Sequence, residues 1–203
     1  KPSLGSVFID GVDICQLSEK KLAAFRQKNI GFVFQSYNLM STQTAIENVA
    51  MPLMFRGMSK KKRNHYAIEM LKAVKLDGRM GHKPSQMSGG QQQRVGIARA
   101  FVARPKIVYA DEPTGNLDSH TTIEVMEIMI DMARRYKETL IIVTHDQEIA
   151  SYADRIIYLL DGNIKSDKPN ESIMKTKREK DSETAKQVKD QKKNEEGKSN
   201  EEK

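Results

Sequence analysis

Between Met87 and Asp118 the chain carries three kinds of group able to act on a phosphate. Met87-Ser88-Gly89-Gly90-Gln91 stands directly before a helical run. A helix start there exposes backbone N–H groups and the positive end of the helix dipole, which suits an anion. Ile107-Val108-Tyr109-Ala110 reads as a buried strand and ends in two adjacent carboxylates, Asp111 and Glu112. A carboxylate where a buried strand emerges can hold a hydrated cation, and a second can orient a water. Gly115-Asn116-Leu117-Asp118 closes the stretch. An anion site, a cation site and a water-positioning acid this close together suggest nucleotide hydrolysis.

The elements that must hold these groups follow from patterning. Val7-Phe8-Ile9 and Val12-Asp13-Ile14 flank Asp10-Gly11, a hairpin signal, because Asp-Gly supplies the positive φ angles of a tight turn. Ser18-Glu19 opens a helix with a serine cap. Ile30-Gly31-Phe32-Val33-Phe34 is near-continuously apolar and ends in Gln35, which fits a strand covered on both faces, the habit of parallel sheets. Residues 44–57 read as a helix that Pro52 should kink or interrupt. Ser59 is placed to cap the next helix, where Ala67, Met70, Leu71 and Val74 form one apolar stripe. Met51, Met54 and Met58 read as core or interface filler. These helices, with the run from Gln91 to Arg104, predict a small helical subdomain at about 44–104.

Beyond the Asp111 strand, Ser119 or Thr121 starts a helix, with Thr121-x-x-Glu124 as a capping-box pattern. Leu140-Ile141-Ile142-Val143-Thr144 is a third apolar run and ends in His145. A short helix and strands at 156–160 and 163–165 follow. Strands alternating with helices mean a layered α/β domain. Gln35, Asp111-Glu112 and His145 then each stand at the carboxyl end of a different buried strand, the edge along which open parallel sheets bind ligands.

Composition sets the outer bounds. From Ser166 onward the chain has eleven Lys/Arg against ten Asp/Glu and almost no apolar residues, so 166–203 is predicted to be a disordered charged tail. The net charge is +7, but most of it is diffuse, and Lys60-Lys61-Lys62-Arg63 reads as a solvated helix start rather than a binding patch. Cys15 is the single cysteine, so no internal disulfide forms. No apolar run approaches the ~20 residues that span a bilayer, and a cytoplasmic location is expected.

Taken together, the motifs resemble the ATP-binding subunits of ABC transporters. Gln35 resembles the Q-loop glutamine, Met87-Ser88-Gly89-Gly90-Gln91 the LSGGQ signature, and Ile107 to Asp111 Walker B, with Glu112 after it. Asn116-Leu117-Asp118 resembles the D-loop and His145 the H-loop. The wording Gly31-Phe32-Val33-Phe34-Gln35-Ser36-Tyr37-Asn38-Leu39 and Asp111-Glu112-Pro113-Thr114-Gly115-Asn116-Leu117-Asp118-Ser119 is similar to the macrolide-exporter, lipoprotein-releasing and antimicrobial-peptide-exporter branch. Met87 replaces the usual leucine, a near volume-conserving change. The phosphate loop G-x-x-x-x-G-K-[ST] is missing; in the family it precedes the region that begins here as Lys1-Pro2-Ser3. Gly197-Lys198-Ser199 is not a substitute, since it sits in the charged tail.

The resemblance implies a P-loop NTPase-like parallel-sheet core over residues 1–165, with the inserted helical subdomain and an N-terminal antiparallel β element, truncated at the N-terminus. It implies ATP and Mg²⁺ as cofactors. Asp111 and Gln35 would hold the metal, and Glu112 would act on the water with His145 and Gln35. Ser88, Gly89, Gly90 and Gln91 would clamp the γ-phosphate held by a second subunit, with Asp118 communicating across that interface. The implied partners are a homodimer or paired ATP-binding subunit and an integral membrane permease, met through residues 37–58, among which Leu39, Met40, Met54 and Phe55 are the apolar candidates. The expected location is therefore peripheral, on the inner face of the cell membrane. The expected function is ATP hydrolysis coupled to export or extraction of a substrate. The alternative is a non-hydrolysing module that completes a partner's ATP site through its signature. A chromosome-maintenance or DNA-repair ATPase would insert a long coiled coil between Gln35 and the signature; only 36–87 intervene, without sustained heptads, so no nucleic acid is expected.

Overall fold

Asp10 and Gly11 adopt φ of 52° and 76°, as a two-residue hairpin turn requires. They join β1 (Phe8–Ile9) to β2 (Val12–Asp13), antiparallel with Ile9 opposite Val12. The strands are shorter than the apolar pattern predicts, because Ile14–Gln16 turns into a 3₁₀ helix capped by Asp13. The structure, a computed structural model, describes residues 2–171. Most of the predicted tail, with Gly197-Lys198-Ser199, lies outside them. The chain divides into two compact units between His145 and Asp146.

In the first unit, α1 (Glu19–Asn29) starts at Ser18, whose hydroxyl accepts the Lys21 N–H. It leads into β3 (Ile30–Phe34), the first strand of a parallel sheet with β4 (Ile107–Asp111) and β5 (Thr139–Val143), in the order β3-β4-β5. The strands are in step, so that Phe34, Asp111 and Val143 share the last row. Gly31, Val33, Val108 and Ala110 are buried on one face. A Cβ on Gly31 would come 2.6 Å from the Ala100 carbonyl oxygen, so only glycine admits so close a helix. On the other face Phe32 stacks on Phe34 and Tyr109 at centroid distances of 5.8 and 5.7 Å. Phe32, Ile141 and Val143 are exposed there. Among the described residues β3 is therefore covered on one face, not on the two that were predicted: an apolar run sets the strand but not the number of its covers.

The helical layer comprises α2 (Ala45–Phe55), α3 (Lys60–Ala73) and α4 (Gly89–Phe101). Thr44 and Glu47 form a reciprocal capping box at the start of α2, satisfying two of its orphan donors. Pro52 lies inside α2 without ending it, so of the expected kink or break, the break does not occur. Ser59 stands at the N-cap of α3 but its hydroxyl makes no cap bond, so position alone is right there. Ala67, Met70, Leu71 and Val74 are buried as predicted, whereas Met54 is exposed and Met51 and Met58 are half-buried. The side-chain amide of buried Asn48 donates to the carbonyls of Met40, Gln43 and Thr44 while its oxygen accepts the Met40 N–H. That pins the loop entering α2. Arg56, just past α2, donates to the carbonyls of Gln27, Lys28 and Ala103, which satisfies chain ends around α1 and α4.

Helix α4 packs against α2, α3, β3 and α5 (Ser119–Tyr136), and so belongs to the sheet layer as much as to the helical one. Its buried Gln93, Val95, Ile97, Ala98 and Phe101, with Val125, Met126, Met129 and Met132 of α5, form the core under the sheet. The cap of α5 is Asp118, whose carboxylate accepts the Thr121 N–H at 3.0 Å and its hydroxyl at 2.7 Å. The predicted Thr121–Glu124 box is thus replaced by a cap three residues earlier, and Glu124 instead pairs with Arg94.

The second unit contains α6 (Gln147–Ser151) and the antiparallel pair β6 (Arg155–Leu160) and β7 (Asn163–Pro169). Asp161 and Gly162 turn between them at φ of 49° and 74°. Arg155 meets Asp167 through two hydrogen bonds of 2.7 and 2.6 Å. The last strand runs to Pro169, beyond the expected domain end at 165.

Candidate functional site

The last row of the sheet builds the site. Because β3, β4 and β5 are in step, the residues that follow Phe34, lie at Asp111 and follow Val143 emerge on one rim. Gln35, Asp111, Glu112, Thr144 and His145 all belong to it. Asp111 and Gln35 are exposed. The Gln35 amide leans over Gly115, where an added Cβ would come 2.7 Å from its Nε2, and Asn116 donates to the Gln35 carbonyl at 3.1 Å. The loop after β4 is thereby joined to the loop after β3.

Glu112 is the most constrained of these residues. Its φ is 43°, a left-handed conformation uncommon outside glycine and typical of functional positions. Its N–H donates to the Val143 carbonyl at 2.9 Å, and its carbonyl accepts the Gly115 N–H at 3.1 Å. The carboxylate is held equally firmly. Oε1 accepts the His145 backbone N–H at 3.1 Å and lies 2.7 Å from His145 Nδ1, while Oε2 accepts the Thr144 hydroxyl at 3.2 Å. Desolvation pushes the Glu112 carboxyl up, but the hydrogen bonds and charge of His145, with the bond from Thr144, outweigh it and hold the group below the ordinary carboxylate range. The Glu112 side chain is 25% exposed and that of His145 is 90% exposed, so the pair faces outward with the acid behind the imidazole.

Ser88, Gly89, Gly90 and Gln91 begin α4. Ser88 Oγ accepts the Gln91 N–H at 3.3 Å and Gln91 Oε1 accepts the Ser88 N–H at 3.2 Å, so the two side chains form a capping box. A Cβ on Gly89 would come 2.8 Å from the Tyr37 hydroxyl, and one on Gly90 would run into Thr121 Cγ2. A side chain at either position would therefore make Tyr37 or Thr121 shift, so internal packing as well as phosphate approach favours glycine there. These residues abut Tyr37, Leu117 and Thr121, the turns that follow Gln35 and Glu112. Asp118 caps α5 from the same region.

Sequence reasoning missed Gln93 and Arg99, which bond these turns from α4. Gln93 Nε2 donates to the Pro113 carbonyl, and Arg99 donates to the carbonyls of Tyr37 and Asn38. A signal was available: Gln93 falls in register with Ile97 and Phe101, all three fully buried, and a polar residue in an apolar stripe needs a partner.

A parallel sheet with a carboxylate pair, a glutamine and a histidine on its carboxyl rim, and a glycine-rich helix start beside it, defines a nucleotide-hydrolysing cassette of the P-loop NTPase fold. The family model described as ABC transporter matches residues 1–115. The chain belongs to that family, as an ATP-binding subunit of the ATPase kind. It is 44% identical over 167 residues to the lipoprotein-releasing system ATP-binding protein LolD of Bacteroides thetaiotaomicron, covering 82% of this chain and 77% of that protein. With the macrolide export ATP-binding/permease protein MacB of Shewanella sp. (strain ANA-3) it shares 46% identity over 170 residues, 84% of this chain but 26% of that protein. Among solved structures it is similar to the ATP-binding cassette MJ0796, in a dimeric post-hydrolysis state bound to ADP and Pi. That match has a TM-score of 0.75 and 42% identity, over 84% of this chain and 75% of that one. No helix among the described residues is long and apolar enough to cross a membrane.

Proposed function

We propose that the rim residues hydrolyse ATP in a head-to-tail pair of ATP-binding subunits, driving a membrane permease that exports or extracts its substrate. The observation that carries this reading is the doubly held carboxylate of Glu112 at the end of the Phe34–Asp111–Val143 row. An ionised, oriented carboxylate can accept a proton from an attacking water, a contribution of roughly 10²–10⁴ in rate. His145 and Thr144 keep it ionised and aimed. Gln35 and His145 border the space where the terminal phosphate would lie.

The donor set fits Mg²⁺. No group of three or more His, Cys, Asp or Glu forms a metal cage among the described residues, but Mg²⁺ is commonly bound by one or two carboxylates with substrate phosphates and water. Asp111 offers an exposed carboxylate and Gln35 an amide oxygen on the same rim. Bound there, the ion would neutralise charge on the phosphates.

The helix start at Ser88-Gly89-Gly90-Gln91 presents backbone donors suited to a phosphate held by the second subunit, and Asp118 lies at the edge of that surface. The dimeric form of the similar cassette MJ0796 supports the pairing. The permease is proposed to dock where Met40 and Phe55, 51% and 65% exposed, leave apolar surface beside Leu39 and Met54. The relatives' names support lipoprotein release or macrolide export as the class of task, performed from the inner face of the membrane. Phosphate release by the assembled transporter tests the reading: Glu112→Gln should lower turnover by about 10² or more while nucleotide still binds. Wild-type turnover in that variant would overturn it.

A further inference from the structure

One face of α4 touches both loops of the rim. Gly89 lies against the Tyr37 hydroxyl, and a Cβ placed on Gly96 would lie 3.7 Å from the Tyr37 carbonyl oxygen and 3.8 Å from Gln93 Oε1. Arg99, on the same face, donates from Nη2 to the Tyr37 carbonyl at 2.8 Å and from Nη1 to the Asn38 carbonyl at 2.5 Å. Tyr37 and Asn38 are consecutive left-handed residues, at φ of 60° and 48°, a conformation that persists only where its surroundings fix it. Desolvation lowers the Arg99 guanidinium pKa, in keeping with a side chain withdrawn from water to meet backbone. Gln93 is fully buried and its amide donates to the Pro113 carbonyl at 2.5 Å, one residue past the left-handed Glu112. Among the described residues its own oxygen has no hydrogen-bond partner. A buried, half-satisfied amide is costly, so its retention in the core is better explained by the bond it makes than by packing.

We propose that Arg99 and Gln93 are positioning residues: Arg99 fixes the strained turn that aims Gln35, and Gln93 fixes the strained turn that aims Glu112. Both act from the helix whose first turn is Gly89-Gly90-Gln91. The functional half of this inference rests on the reading of Gln35 and Glu112 given above; the mechanical half does not.

The test is amide hydrogen exchange on the full chain, followed by turnover in the assembled transporter. Arg99→Met should speed exchange in 36–43 by about fivefold or more and leave 112–118 unchanged; Gln93→Met should do the reverse. Arg99→Lys, which keeps charge but loses the two-pronged donor, should resemble Arg99→Met, and Gln93→Asn replaces Gln93→Met where the latter does not fold. In turnover, each should lower kcat about tenfold with KM for ATP within twofold of wild type. Equal loosening of both loops by either variant, or of neither, overturns the proposal, as does selective loosening with unchanged kcat where Glu112→Gln is inactive. An active Glu112→Gln would instead overturn the catalytic reading, with the exchange pattern still deciding whether these side chains hold the loops.

Discussion

Glu112 and His145 meet twice, through the His145 backbone N–H at 3.1 Å and through its ring Nδ1 at 2.7 Å, both on the one oxygen Oε1. The imidazole therefore does more than border the site: it helps to set the charge state of the acid behind it. Burial opposes ionisation of Glu112 and His145 reverses the balance. A carboxyl with a depressed folded pKa adds stability that is present above its unfolded value and lost as pH falls through the folded value.

His145→Ala should accordingly move the acid limb of the pH–rate profile of ATP turnover upward, because desolvation remains and its main opponent is gone. Both this variant and His145→Gln keep the backbone N–H on Oε1, but His145→Gln also keeps a polar side chain that can donate, and should move it less. A pH–rate profile with an unshifted acid limb in both variants would contradict the coupling.

The two glycines of the helix start can be assigned by a paired substitution. Gly90→Ala should destabilise the fold by about 1–3 kcal/mol through overpacking against Thr121. Adding Thr121→Ser removes the offending Cγ2 while keeping the hydroxyl that meets Asp118, and urea denaturation should then show most of the loss recovered. Turnover that stays low in the recovered double variant would separate phosphate approach from packing.

Asp118→Ala should lower the unfolding temperature by removing the cap of α5, with Asp118→Asn losing much less. Thermal unfolding measures the first effect. Any further loss of turnover in Asp118→Asn, at near-wild-type stability, would be the signature of its proposed interface role.

Glu138 gives a pH-dependent stability of the opposite sign. Both its carboxyl oxygens are buried without a hydrogen-bond partner among the described residues; desolvation raises its pKa to about 7, against the pull of Arg104. A raised folded value means that the folded state holds the proton longer, so stability falls as pH climbs from the ordinary glutamate range to about 7 and levels off above it. The residue is half-buried, so solvent screening reduces the span to about 1–2 kcal/mol. Glu138→Gln should flatten denaturation midpoints across that window.

Much of this was legible before any coordinates. The three apolar runs became β3, β4 and β5 nearly to the residue, because buried parallel strands carry their signal in composition alone. Their polar neighbours Gln35, Asp111, Glu112 and His145 then had to share an edge. Caps were legible where side chain and backbone agree, as at Ser18. They were misplaced where two candidates competed: Asp118 prevailed over Thr121 because its carboxylate reaches both the amide and the hydroxyl of Thr121. The bare face around Phe32 was not legible, since the chemistry of a side chain does not state what lies over it. Nor were the bonds of Gln93 and Arg99 to backbone carbonyls, which depend on a helix crossing beneath two turns distant in sequence.

That the three strands end on a common row also makes the chemistry intolerant of miscounting. A single residue deleted from Ile107–Ala110 would draw the acids back by about 3.3 Å and turn alternate side chains to the wrong side. Exchange of one aliphatic residue for another at the same place would leave the ledge where it is. For this protein, the number of residues in each strand is a stricter specification than their identity.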